Sequence, residues 1–233
     1  MNALLLRRRA MMQSKKHEDV RFWVSSDDEP VGNYLIERIQ QKAFQLYGEN
    51  VYDAVEKLYD FRQNSQRAET TDSAVYDFGH HWKLYFDIDA YVYSARSVDK
   101  YFLDFGSVTS SSHAFGFAMG LATGGRTTIG VNWKLNGNNS NPGIGAPSHS
   151  YAPTASGGGY ERVQGYYAIV DGGDGYDRLE VNLNGVTEQY NVKIPQVSYS
   201  PPWNNSKFVI GGAVNVGFSL PHYMRELKLV VID

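Results

Sequence analysis

Between Trp82 and Val92 the chain alternates without a break: Trp82, Leu84, Phe86, Ile88, Ala90 and Val92 take one set of positions, and Lys83, Tyr85, Asp87, Asp89 and Tyr91 take the other. Successive side chains of an extended backbone point to opposite faces, so this period of two puts an apolar set on one surface and a polar-aromatic set on the other. A long strand with one dry and one wet face belongs in an antiparallel sheet covered on one side. The remaining chain must then supply the apolar layer that covers it.

The sequence beyond Val75 offers that material. Further strands are expected over 101–105, 114–121, 127–135, 165–170, 178–183, 188–194, 207–210 and 225–232, punctuated by Gly, Asn and Pro. In the last of these Leu227, Leu229 and Val231 alternate with Lys228 and Val230, so the final segment reads as a strand tied into a sheet. Short strands with glycine-rich turns favour a sandwich over a barrel or an α/β fold. The stretch 136–160 holds almost nothing that could anchor a core; it reads either as a mobile loop or as one that covers an interface or a ligand.

Residues 26–72 carry a different signal. Ser26, Asp27 and Asp28 suit a helix start, Pro30 suits a first turn, and Ile36, Ile39, Ala43, Phe44 and Tyr47 fall on one helical stripe. After Gly48, residues Val51, Ala54, Val55, Leu58 and Tyr59 form a second apolar side. One or two short helices are therefore expected, with Ile36, Ile39 and Phe44 as an attachment or oligomerisation stripe. The resulting organisation is a basic arm over 1–25, a helical segment over 26–72 and a β-sandwich over 73–233.

Composition narrows the chemistry. The 233 residues include no cysteine, which removes disulfides, thiol nucleophiles and cysteine-bound zinc. The net charge of -3 gives no general reason to expect a nucleic-acid partner, although Arg7, Arg8, Arg9, Lys15, Lys16 and Arg21 make the opening basic. Leucines precede the arginines there, the reverse of a secretory leader, and no apolar run reaches bilayer length, so neither export nor membrane insertion is expected. The sequence has no G-x-S-x-G elbow, no phosphate-loop lysine and no metalloprotease histidine pattern. On these grounds the chain is expected not to be an enzyme.

Several elements now support a resemblance. The segments RLEVNLNGVTEQY, KFVIGGAVNVGFS and MRELKLVVID resemble the last strands of laminin-G or concanavalin-like jelly rolls. In that comparison Asn184 and Gly185 stand for a hairpin turn, Ile210, Gly211 and Gly212 for a glycine-ended strand, and Glu226 to Leu229 for the closing strand. FLDFGSV and FGFAMGLATGGRTTIGVNW resemble the middle hairpins. The fold expectation is thus a mainly β, antiparallel concanavalin-like or jelly-roll sandwich preceded by the arm and helices. The phrase LLLRRRAMMQ is similar to openings of virion structural proteins from tailed phages of gut Bacteroidota. That second resemblance implies a virion component attached through Arg7, Arg8, Arg9 and the helices, forming homo-oligomers and contacting other virion proteins.

Two clusters invite chemistry. Asp87 and Asp89 share one face of their strand and could pair, share a cation, line a binding face or simply be solvated. Asp171, Asp174 and Asp177 recur at intervals of three in a glycine-rich turn without the arrangement of an EF-hand. No cofactor is required by any motif, and calcium at these three aspartates is implied only by the sandwich resemblance. With 17 tyrosines and 4 tryptophans, the chain has ample aromatic surface for a sugar or a protein partner. Tyr85, Asp87, Asp89, Tyr91, Trp133, Tyr151 and Trp203 are the candidates for a glycan-binding or interface site. The leading expectation is a non-enzymatic phage structural or decoration protein; the alternative is a lectin-like module that binds a surface glycan.

Overall fold

A computed structural model of the chain describes residues 19–63, 65–70, 80–92, 99–105, 115–124, 126–135, 149–150, 159–195, 208–211 and 221–232. Among them are sixteen strands: β1 (Asp19–Ser25), β2 (Tyr34–Ile36), β3 (Ala43–Tyr47), β4 (Tyr52–Asp53), β5 (Leu58–Asp60), β6 (Arg67–Thr70), β7 (Trp82–Val92), β8 (Asp99–Phe105), β9 (Phe115–Gly124), β10 (Arg126–Leu135), β11 (His149–Ser150), β12 (Gly159–Asp171), β13 (Tyr176–Leu183), β14 (Val186–Pro195), β15 (Phe208–Ile210) and β16 (His222–Val231). They form two eight-stranded antiparallel sheets. Sheet one runs β14-β13-β12-β7-β16-β5-β4, with β1 also paired to β16, and sheet two runs β11-β10-β9-β8-β15-β6-β3-β2. The mainly β, sandwich-type fold read from the sequence is observed.

The alternation of β7 decides what lies between the sheets. Trp82, Leu84, Phe86, Ile88 and Ala90 are all buried, and they join Tyr167 and Ile169 of β12 and Leu227 and Leu229 of β16 in one core. Phe22 of β1 meets Phe44 of β3 and Phe208 of β15 at ring-centroid distances of 5.9 and 5.0 Å, and Phe44 and Phe208 lie 5.6 Å apart. This trio links sheet one to sheet two. Burying such a ring stabilises the fold by about 1.5–3 kcal/mol.

Among the described residues of 26–72 the expected helices are absent; the segment is built of β2 to β6, shared between the two sheets. Burial follows a period of two instead of that stripe: Leu35, Phe44 and Leu46 are buried while Ala43, Gln45 and Tyr47 are half-buried. Three non-glycine residues with left-handed backbone, Gln41 (φ 56), Asn50 (φ 53) and Lys57 (φ 51), interrupt any helix that would pass through them. The β2–β3 connection is organised by the fully buried Glu37, whose carboxylate accepts the N–H groups of Ile39 (2.8 Å), Lys42 (3.3 Å) and Gln40. Asp53 plays a similar part between β4 and β5, accepting from Val55 (2.9 Å) and Glu56 (3.0 Å).

The proposed attachment stripe therefore divides. Phe44 has no exposed surface, Ile36 is half-buried in β2, and Ile39 alone is exposed. Arg7, Arg8 and Arg9 lie outside the described residues, as does most of 136–160, of which residues 149–150 and 159–160 belong to β11 and β12.

Turn chemistry fixes the register around the middle of sheet one. Asn184 (φ 47) and Gly185 (φ 88) close a two-residue hairpin between β13 and β14, as the Asn-Gly pair requires. In β16 a bulge between Met224 and Glu226 leaves Arg225 as the extra residue opposite β7. His222 and Met224 point inward before the bulge, and Leu227, Leu229 and Val231 point inward after it. Among the described residues, no helix is long and apolar enough to cross a membrane.

Candidate functional site on the outer face of sheet one

The polar positions of β7 project from the face opposite the core, and the register of its neighbours sets what stands beside them. Tyr85 lies between Tyr166 of β12 and Lys228 of β16, Asp87 between Gln164 and Glu226, and Asp89 between Arg162 and Tyr223; Tyr91 lies across from Tyr160. Each row is a cross-strand set within side-chain reach. Together they form a continuous surface over β12, β7 and β16.

The centre of this surface is ion-paired. Asp87 accepts from Arg162 at two atoms (Nε 3.0 Å, Nη2 2.7 Å) and from Gln164 Nε2 (2.9 Å). Burial pushes the Asp87 carboxyl up, but the bonds from Arg162 and Gln164, with the charges of Arg162 and Arg225, outweigh it and hold the group below the usual carboxylate range. Asp89 accepts from Arg225 Nη2 at 2.7 Å. The two carboxylates thus engage different arginines on different strands. They do not form the mutual carboxylate pair considered from their spacing.

Aromatic groups flank this centre at both ends. At one end Tyr85 and Tyr166 meet edge-on at 5.4 Å, with Lys83 Nζ 4.4 Å over the Tyr166 ring and Lys228 Nζ 5.0 Å over the Tyr85 ring. The Tyr166 hydroxyl donates to Glu180 at 2.7 Å; burial first, and then this bond, push it up to about 12. At the other end Tyr160 stands 5.3 Å from both Tyr91 and Tyr223. The guanidinium of Arg62 lies 4.6 Å over the Tyr223 ring and is itself held by Asp60 through Nε (2.9 and 3.0 Å) and Nη2 (2.6 Å). Burial, and to a lesser degree the carboxylates of Asp60, Asp53 and Asp89, raise the Tyr223 hydroxyl despite the opposing charge of Arg62. Tyr160 remains 42% exposed.

Of the residues singled out from the sequence, Tyr85, Asp87, Asp89 and Tyr91 share this one face. Trp133 lies in β10, opposite Phe117 of β9, and so belongs to sheet two. Tyr151 and Trp203 are outside the described residues. The three aspartates considered for calcium are not brought together. Asp171 accepts the Gly173 N–H at 2.9 Å, Asp174 pairs with Arg178 at 2.7 Å, and the buried Asp177 faces His81 Nε2 at 3.0 Å. No group of three or more acidic or histidine side chains suited to a metal ion occurs among the described residues.

No family model matches the chain, and no curated protein matches it. Solved structures do. A sialidase of Trypanosoma rangeli in complex with sialic acid superposes with a TM-score of 0.54 at 11% identity, over 91% of this chain and 30% of that one. Domain 4 of AbnA, a GH43 extracellular arabinanase from Geobacillus stearothermophilus, in complex with arabinotriose, superposes with a TM-score of 0.50 at 10% identity, over 92% of this chain and 93% of that one. The chain has the fold of these β-sandwich domains. It spans 30% of the length of the sialidase. The expectation of a non-enzyme is corrected by the same finding: it rested on missing motifs, whereas the proteins that share the fold include a sialidase and an arabinanase. The likeness is one of fold.

Arg62, Arg162, Tyr223 and Arg225 were not among the sequence candidates. The strand read from Gly165 begins at Gly159, and Tyr160, Arg162, Gln164 and Tyr166 alternate along it with Val163 and Tyr167, a period-two signal that extends the wet face. The signal for Tyr223 and Arg225 was weaker, because the bulge breaks the alternation there.

Proposed function

We propose that the chain is a carbohydrate-binding β-sandwich domain that holds an oligosaccharide on the outer face of β12, β7 and β16, at the end formed by Tyr91, Tyr160 and Tyr223. The observation that carries this reading is the juxtaposition of three tyrosine rings with two arginines, Arg62 and Arg162, whose positions are fixed by Asp60 and Asp87. A sugar ring has an apolar C–H face and a rim of hydroxyls. The first suits an aromatic ring, and the second suits fixed charged donors and acceptors.

The fold likeness to a domain in complex with arabinotriose supports the same reading. The test is a glycan array followed by calorimetric titration of the best ligand. Saturable binding is expected, lost in Tyr160→Ala with the melting temperature close to that of the parent. Absence of binding to every glycan, or binding that survives both Tyr160→Ala and Tyr223→Ala, would overturn the assignment.

A further inference from the structure

The charges around the tyrosine cluster identify the class of sugar, an inference that rests on the glycan-binding reading above. Arg62 is paired with Asp60, Arg162 with Asp87 and Arg225 with Asp89, at closest distances of 2.6, 2.7 and 2.7 Å. At the opposite end of the face, Lys83 lies 3.7 Å from Glu180. The carboxylates sit lower in the surface than the guanidinium groups over them: the side chains of Asp60 and Asp87 are 9% and 15% exposed, those of Arg62 and Arg162 44% and 54%.

We infer that the site takes uncharged oligosaccharides and discriminates against uronic or sialic acids. In both Arg62 and Arg162 the carboxylate occupies Nε and Nη2, and Nη1 makes no hydrogen bond to the described residues. Each guanidinium is therefore clamped in orientation while keeping donors for a hydroxyl oxygen. An incoming carboxylate would find no net positive field, because the compensating aspartate lies directly beneath. It would have to break a paired fork or lose its own hydration without repayment.

The experiment uses the full chain and a panel of arabino-, xylo-, galacto- and gluco-oligosaccharides, alongside oligogalacturonate, oligoglucuronate and sialyllactose, titrated at low and high salt. The expected result is a neutral ligand that binds at least about tenfold more tightly than its acidic counterpart, with little dependence on salt. Asp87→Asn, checked by thermal melting, should release Arg162 and bring the acidic sugars closer in affinity, in a salt-dependent way. If the parent chain prefers an acidic sugar and the preference fades with salt, the inference is wrong while the glycan-binding reading stands. If no sugar of either kind binds, both are wrong.

Discussion

On the inner face of β7 the side chains of Trp82, Leu84, Phe86, Ile88 and Ala90 need apolar neighbours of suitable volume; on its outer face Tyr85, Asp87, Asp89 and Tyr91 each meet a particular partner. The inner contacts are non-directional, and their energy follows the area removed from water. The outer contacts are directional and depend on which residue of β12 or β16 stands opposite. One strand thus carries both stability and specificity, and the two can be altered separately.

The inner side should break hardest. Phe44→Ala removes one ring of the trio joining the sheets and is expected to cost about 3–5 kcal/mol in denaturant unfolding. An attachment residue on a surface helix would show almost no such loss. Next comes Gly165→Ala in β12, where an added Cβ would meet the Asn182 carbonyl oxygen at 1.9 Å. Because that neighbour is backbone, the strand must shift, at a cost of about 1–3 kcal/mol.

The outer side should show smaller effects with a distinct signature. The Asp87 carboxyl is held below its ordinary value, so its contribution to stability is complete above that value, near 3.9, and is lost as pH falls through the lower folded value. Urea midpoints followed from about pH 5 downward should therefore drop less in Asp87→Asn than in the parent. A parallel pH profile in the two proteins would deny the pairing. Tyr160→Ala should lower stability least, by under about 1.5 kcal/mol for the ring contacts with Tyr91 and Tyr223, while abolishing glycan binding.

The same contrast explains what the sequence revealed. The alternation of Trp82 to Val92, the Asn184-Gly185 turn and the closing run from Leu227 to Val231 are local patterns, and each became the element it suggested. Residues 26–72 misled because Ile36, Ile39, Ala43, Phe44 and Tyr47 satisfy helical spacing, while the turns at Gln41 and Lys57 use side chains that do not advertise a left-handed backbone. The outer face was half legible: the residues of β7 were found, but their partners come from 75 and 136 positions away, through a register no local pattern specifies. The resemblance to phage virion proteins rested on LLLRRRAMMQ, which lies outside the described residues, and the shared fold does not bear on it.

The position of β16 has a consequence for how the molecule is made. This strand, last in order among those described, lies inside sheet one, between β7 on one edge and β5 with β1 on the other. During synthesis β1 leaves the ribosome before the other described strands and waits for β16 until all the strands between them have emerged, since Asp19 pairs with Val231. Sheet one must stay open through its middle until then, which predicts slow folding and a nascent chain that depends on chaperones to shield the unfilled edges of β1, β5 and β7.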